Sequence, residues 1–146
     1  MMNIIPVKKV RPNAILPTYG STEAAGADLY ACLDESVTIL PHETAFIPTG
    51  LSMELPKGTG GFIMARSGLA CKQDLAPANK VGLIDSDYRG EFMVALHNHG
   101  TQIRTVQHGD RVAQLVIVPV LTPTYNEVEE LDTTNRGAGG FGSTGK

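Results

Sequence analysis

The chain has 146 residues, 42% of them hydrophobic, and a formal net charge of −3. That is one domain with enough apolar material for a single core, and an aliphatic one, since Trp is absent and only four Phe and four Tyr occur. The acidic balance argues against a generally cationic surface for nucleic acid, so an anionic ligand would need locally placed Arg or Lys.

The first residues, "MMNIIPVKKVRP", lack the apolar region of a signal peptide, and no apolar run approaches membrane-spanning length. Cys32 and Cys71 stand alone without C-x-x-C spacing. This points away from zinc or a disulfide framework and towards a cytoplasmic protein with reduced thiols and no membrane partner. In "AAGADLYA", Ala24 to Ala31, Asp28 is the one charge among small and apolar residues. It is expected to be partly buried and to need a partner, either turn amides or a site. "SVTIL" reads as a strand ended by Pro41, and "TAFIPTGLSMELP" as two strands about the turn "PTG".

Next comes "ARSGLA", Ala65 to Ala70. Ser67 suits the N-cap of a single short helix in "RSGLACKQD". Ser67, the Gly68 amide and the helix start could hold a phosphate, with Arg66 adding charge-assisted bonds. A capped turn with a surface Arg accounts for the same residues. "VGLIDSDYRGEF" sets Asp85, Asp87, Arg89 and Glu91 around a turn flanked by Gly82 and Gly90. Its D-x-D-x-x-G pattern invites an EF-hand reading, which fails because Arg89 and Leu96 stand at the fifth and twelfth positions. Two readings remain: a hairpin turn, or a carboxylate base beside Tyr88, with that ring packing on a ligand.

"EFMVALHNHG" alternates up to Gly100. His97 and His99 share a strand face there, and without a third ligand they make a weak metal pair. "RVAQLVIVPV" is almost wholly apolar, which predicts burial on both faces. Gln114 interrupts it and is expected to share a face with Val112 and Val116, either bonded to backbone or aimed into a site. At Leu121 the texture turns polar and acidic, then glycine-rich. This divides the chain into a core, 1–120, and a C-terminal arm, 121–146, whose extended length of roughly 85 Å would let it cross to a neighbouring subunit. The arm's "GFGSTGK" nearly spells a Walker A loop, but a polar stretch with Pro123 precedes it and no helix-opening Ser or Thr follows the Lys. Arg136 and Phe141 distinguish it from a plain Gly/Ser linker. Many short strands between turn signals predict an all-β fold, a jelly-roll-like barrel or sandwich with one short helix and a flexible C-terminal arm.

Five segments, "AGADLYA", "RSGLA", "GLIDSDYRGE", "GDRVAQL" and "RGAGGFGSTG", together resemble, in this order, the five motifs of the homotrimeric dUTPase family. The resemblance spans nearly the whole chain. It implies hydrolysis of dUTP to dUMP and pyrophosphate with Mg²⁺, limiting uracil in DNA and supplying dUMP for dTMP synthesis. It also implies a homotrimer whose sites each draw on three subunits. By motif, Asp85 matches the general base that orients and deprotonates the attacking water. Tyr88 matches the ring packed on the deoxyribose. The Asn79–Ile84 segment, with Gly82, matches the hairpin that reads uracil. Arg66, Ser67, Gly68 and Gln114 match phosphate contacts, and Asp28 the carboxylate that holds Mg²⁺ through water. In the arm, Arg136 matches a γ-phosphate contact, Phe141 the ring over uracil, and Gly142, Ser143 and Thr144 residues lining the phosphates.

Two departures stand out: Ala65 replaces the usual Pro before the Arg of the second motif, and "PKGTGGF" is glycine-rich where the family often has Tyr. Two alternatives are weighed against this reading. A dCTP deaminase shares the fold and an arginine–serine motif, but "IDSDYRG" with an aromatic closing arm resembles the pyrophosphatase instead. A trimeric regulatory protein with lost catalysis sits poorly with Asp85, Tyr88, Arg136 and Phe141 all present, though a regulatory partner remains compatible with an active enzyme.

Overall fold

The computed structural model describes residues 4–142. Along the chain run β1 (Val7–Lys9), β2 (Thr18–Tyr19), β3 (Ala27–Tyr30), β4 (Val37–Ile39), β5 (Thr44–Pro48), β6 (Leu51–Met53) and β7 (Thr59–Met64). Then follow α1 (Ser67–Gln73), β8 (Leu75–Pro77), β9 (Gly82–Asp85), β10 (Met93–Asn98), β11 (Arg104–Val106) and β12 (Arg111–Pro119). The fold is all-β with one short helix, a jelly-roll-like arrangement of antiparallel ladders. A five-stranded sheet runs β2-β3-β12-β7-β9, a three-stranded one β5-β10-β8, and β1-β6 and β4-β11 are two-stranded ribbons. None of the helices among the described residues is long and apolar enough to cross a membrane.

Period-two alternation does what it should along β10, where Val94, Leu96 and Asn98 point inward and Met93, Ala95 and His97 are half-buried. The inward residues meet Leu29, Ile39, Ile47, Leu51, Leu75, Phe92 and Val112 in one aliphatic core. Each such side chain contributes roughly 1.5–3 kcal/mol on full burial. Asn98 is the polar exception, fully buried, and it satisfies itself locally. Its Nδ2 donates to the carbonyls of Ile39 (3.0 Å) and Gln102 (2.7 Å), and its Oδ1 accepts from the Gly100 amide (3.0 Å).

The turn "PTG" ends at Gly50, whose φ of 70° lies in the left-handed region. A Cβ there would sit 2.7 Å from Ala14 Cβ and 2.9 Å from Cys32 Sγ. Glu91 ties this corner down, accepting from the Gly50 amide (2.9 Å) and from Arg11 Nε (2.7 Å), and the latter contact raises the Arg11 pKa. Burial raises the Cys32 thiol in turn, so that cysteine is a reduced packing residue.

Four expectations need correction. Ser67 is not the N-cap of α1: Arg66 holds that position (φ −85°, ψ 126°) without a side-chain cap, since a guanidinium has no acceptor to offer, and its Nε donates to Asp28 instead. The stretches Asn79–Ile84 and Asp85–Gly90 are not hairpin turns, since β8 pairs with β10 while β9 pairs with β7; both are crossings between sheets. Val112 does not share a face with Gln114. A bulge between Arg111 and Ala113 buries both Val112 and Ala113 and turns Arg111 to the Gln114 face. The expected burial of β12 on both faces holds only for Val112, Ala113 and Leu115; Arg111 is exposed, and Gln114, Val116, Ile117 and Val118 stay part-exposed.

Gly50→Ala is expected to destabilise the fold by roughly 2–4 kcal/mol, combining a left-handed backbone with overpacking. Urea denaturation at matched protein concentration measures it; an unchanged midpoint would contradict the packing described.

Candidate active site

The outer face of the five-stranded sheet is set by register. Thr18, Asp28, Gln114 and Met64 form one row across β2, β3, β12 and β7. Val116, Phe62 and Leu83 form the next, and Val118, Gly60 and Asp85 the one after. Polar groups therefore stand at one corner of this face and at the diagonally opposite one, with apolar side chains between.

At the first corner, Asp28 is largely shielded, its side chain 14% exposed. Both its oxygens are partnered: Oδ1 accepts from Arg66 Nε at 2.8 Å and Oδ2 from Arg111 Nη1 at 3.2 Å. The expected partner for a part-buried carboxylate is thus a pair of guanidinium groups. Gln114 Nε2 donates to the Ala65 carbonyl at 2.8 Å, which fixes the backbone entering the Arg66 corner. A Cβ on Gly26 would collide with the Gln114 amide, so a larger residue there would push that side chain from its place. Gln114 is therefore both backbone-bonded and part of a site wall. With Ser67 and Gly68 exposed at the start of α1, these groups line a groove of about 250 Å³. It is cationic in a net-acidic protein, the local placement that an anionic ligand requires. Arg111 is the member that sequence reading missed. The odd spacing of a cationic residue three before Gln114 was the available signal, and it is meaningful only with the bulge.

At the second corner, β9 ends in Asp85 and the chain turns, the Tyr88 amide bonding the Asp85 carbonyl at 3.1 Å. Tyr88 is half-exposed; its hydroxyl donates to the Glu91 carbonyl at 3.0 Å and its ring lies 6.1 Å from the buried Phe92. The ring lies against Gly90, where a Cβ would strike it. Asp85 itself is exposed. At the other end of β9, the turn Ala78–Val81 is closed by Lys80 N to Pro77 O (3.0 Å) and Val81 N to Asn79 O (2.7 Å). The Asn79 amide stands beside Gly82, where an added Cβ would come within 3.4 Å of it, and Ile84 packs against the core.

The two corners do not meet within one chain. They differ by four residues along β7 and by three strands across the sheet from β3 to β9. On a flat sheet that is roughly 13 Å by 14 Å, so Asp28 and Asp85 lie about 20 Å apart. The arm is also apart from both. Residues 121–138 are exposed, and among the described residues Arg136 Nε bonds the nearby Gly139 carbonyl (2.9 Å). Phe141 is fully exposed at positive φ, as is Gly142. Ser143 and Thr144 lie outside the described residues. His97 and His99 sit elsewhere, in edge contact at 4.5 Å between ring centroids, with His97 Nδ1 bonded to the Thr44 hydroxyl at 2.8 Å.

The dUTPase family model matches residues 12–145. The chain belongs to the dUTPase family. It is 54% identical to the deoxyuridine 5′-triphosphate nucleotidohydrolase of Desulfitobacterium hafniense, over 89% of this chain and 87% of that protein. To the Shigella flexneri nucleotidohydrolase it is 43% identical, over 100% of this chain and 99% of that one. Among solved structures, a mutant dUTPase of Staphylococcus bacteriophage 80alpha with dUpNHpp aligns at TM-score 0.90 and 29% identity, covering 99% and 100% of the two chains. The dUTPase of phage phi11 of S. aureus, studied as a mutant for its coordination of a structural Mg(II) ion, aligns at TM-score 0.78 and 29% identity, covering 88% and 98%. The enzyme class that follows for this chain is dUTP diphosphatase, a hydrolase on an all-β scaffold.

Proposed function

We propose that the chain hydrolyses dUTP to dUMP and pyrophosphate at sites closed between three copies of itself. The observation that carries this reading is the separation of the two corners. A base must come within hydrogen-bond reach, or one water, of the reacting group. At about 20 Å, Asp85 cannot serve a triphosphate seated on Arg66 of its own chain. A neighbouring copy that lays its Asp85 corner against the Asp28–Arg66 groove supplies the missing half. The apolar row between the corners, Phe62, Val116 and the 62%-exposed Leu83, is the surface such a contact would cover. A closed ring of such heterologous contacts is cyclic, and the family resemblance supports three copies.

In the assembled site, the turn Ala78–Val81 and the Gly82 backbone receive the uracil edge, with the Asn79 amide held at that turn. A pocket built from backbone groups excludes thymine by its methyl and cytosine by its exchanged donor and acceptor. Tyr88, braced by its bond to the Glu91 carbonyl, packs on the deoxyribose where a 2′-hydroxyl would need space. Arg66, Ser67, Gly68 and Gln114 hold the phosphates. Asp85 orients a water and takes its proton as the water oxygen bonds to the α-phosphorus. The bond from that phosphorus to the bridging oxygen breaks opposite, and pyrophosphate departs with the electron pair. Positioning and electrostatics supply most of the acceleration in such a displacement.

Among the described residues, no three His, Cys, Asp or Glu side chains converge on a metal site. Mg²⁺ fits here in another way. It dehydrates reluctantly and keeps its waters. Each Asp28 oxygen, with one N–H accepted, retains a lone pair for such a water. Bound with the triphosphate, the ion would neutralise charge on the leaving pyrophosphate. Phe141 is the feature that makes the arm a lid. Its ring is bare in the single chain, and stacking over a neighbour's uracil would cover it. Arg136, Gly142, Ser143 and Thr144 would then follow the phosphates.

Asp85→Asn is expected to lower turnover by about 10²–10⁴-fold while dUpNHpp still binds; near-normal pyrophosphate release would remove Asp85 as the base. Deleting residues 136–146 should leave the oligomer intact by light scattering with severely reduced turnover. Full activity in that truncation would sink the closing arm.

A further inference from the structure

The Asp28 corner holds two cations, Arg66 and Arg111, that share one carboxylate. Arg66 engages Asp28 through Nε alone, at 2.8 Å to Oδ1. That single bond leaves both terminal nitrogens of Arg66 available to the groove. An arginine beside a lone carboxylate ordinarily prefers two parallel bonds, Nε and one Nη to the two oxygens. Here Arg111 Nη1 lies 3.2 Å from Oδ2 and takes one of its two lone pairs, leaving an Arg66 Nη to compete with water for the other. Arg111 reaches it only because of the β12 bulge, which pairs Arg111 with Tyr30 and shifts it onto the Asp28 face. Its guanidinium stands in the wall between this groove and a second one of about 290 Å³ beside Thr105 and Asp110.

We propose that Arg111 is a positioning residue. By holding Oδ2 of Asp28, it competes with a two-bond fork from Arg66 and so favours Arg66 terminal nitrogens that stay open to the phosphates. Arg111 thus acts through Asp28 and Arg66, not by touching the nucleotide. This rests on the groove being the phosphate site. The Arg111 side chain is half-exposed, so its own ion pair adds little to stability. Its effect is on where Arg66 points.

The test is a cycle of dUpNHpp dissociation constants, measured by calorimetry on the full-length oligomer at saturating Mg²⁺. Arg111→Met keeps the apolar stem and removes every donor. It should weaken dUpNHpp by about tenfold, the loss of one charge-assisted bond from Arg66. In an Asp28→Asn background, the anionic fork that traps Arg66 is gone, so the same change should cost less than about twofold. Arg111→Lys, which can still hold Oδ2, should recover most of the affinity. An equal tenfold penalty in both backgrounds would instead make Arg111 a direct phosphate contact and overturn the proposal. So would an absence of any penalty with Asp28 intact, or a failure of Arg111→Lys to recover affinity. Arg66→Met serves as the control on the groove itself: if dUpNHpp binds it as tightly as the unaltered protein, the phosphate reading fails, and this inference with it.

Discussion

The antiparallel placement of β12 between β3 and β7 is the constraint on which the rest depends. It puts Gln114 beside Asp28 on one side and beside Met64 on the other, one residue before the Ala65 carbonyl that Gln114 bonds. Three segments far apart in sequence therefore meet at one corner. The same pairing carries β9 on the far edge of β7 and fixes Asp85 opposite Gly60. One sheet thus sets the Asp28 and Asp85 corners about 20 Å apart. If both serve one site, as proposed above, a second copy must bring them together.

Charge is managed in a similarly local way. The protein is acidic overall, yet the Asp28 corner carries two guanidinium groups on one carboxylate and so presents a net cation. Partial burial keeps Asp28 paired, since an unpaired carboxylate there would be costly. The bulge in β12 is what gives Asp28 its second arginine. Without the extra residue, Val112 would face the groove and Arg111 would point to the opposite side.

Much of the fold was legible in the sequence because alternation and turn residues are local signals. The boundaries near Pro41, Gly50 and Gly100 follow from them, and β10 alternates as read. What was not legible depends on partners distant in sequence. Ser67 looked like a cap because Ser is a good one, but the helix starts one residue earlier in register, with Arg66 as N-cap and its side chain bonded to the distant Asp28. The turns around Lys80 and Tyr88 looked like hairpins because their flanks are strands; that those strands belong to different sheets is a property of topology. Arg111 was missed because strict alternation across "RVAQ" conceals a bulge. The candidate site residues came from an ordered set of motifs, whereas their distribution over two corners of a sheet emerged only from register. Val116 and Val118, expected to be buried, stay part-exposed in the single chain, which is compatible with the contact proposed above.

The central claim, that one catalytic site is completed by different chains, is tested most directly by mixing two disabled proteins. Asp85→Asn lacks the base and Arg66→Met lacks the phosphate cation, and each alone should be nearly inactive. When the two are unfolded together and reassembled at equal amounts, random mixing places an intact Asp85 against an intact Arg66 at about a quarter of the sites. The account predicts recovery of about that fraction of the unaltered turnover. If the mixture stays as inactive as its parents while forming mixed oligomers, each site is built within a single chain and the account is wrong.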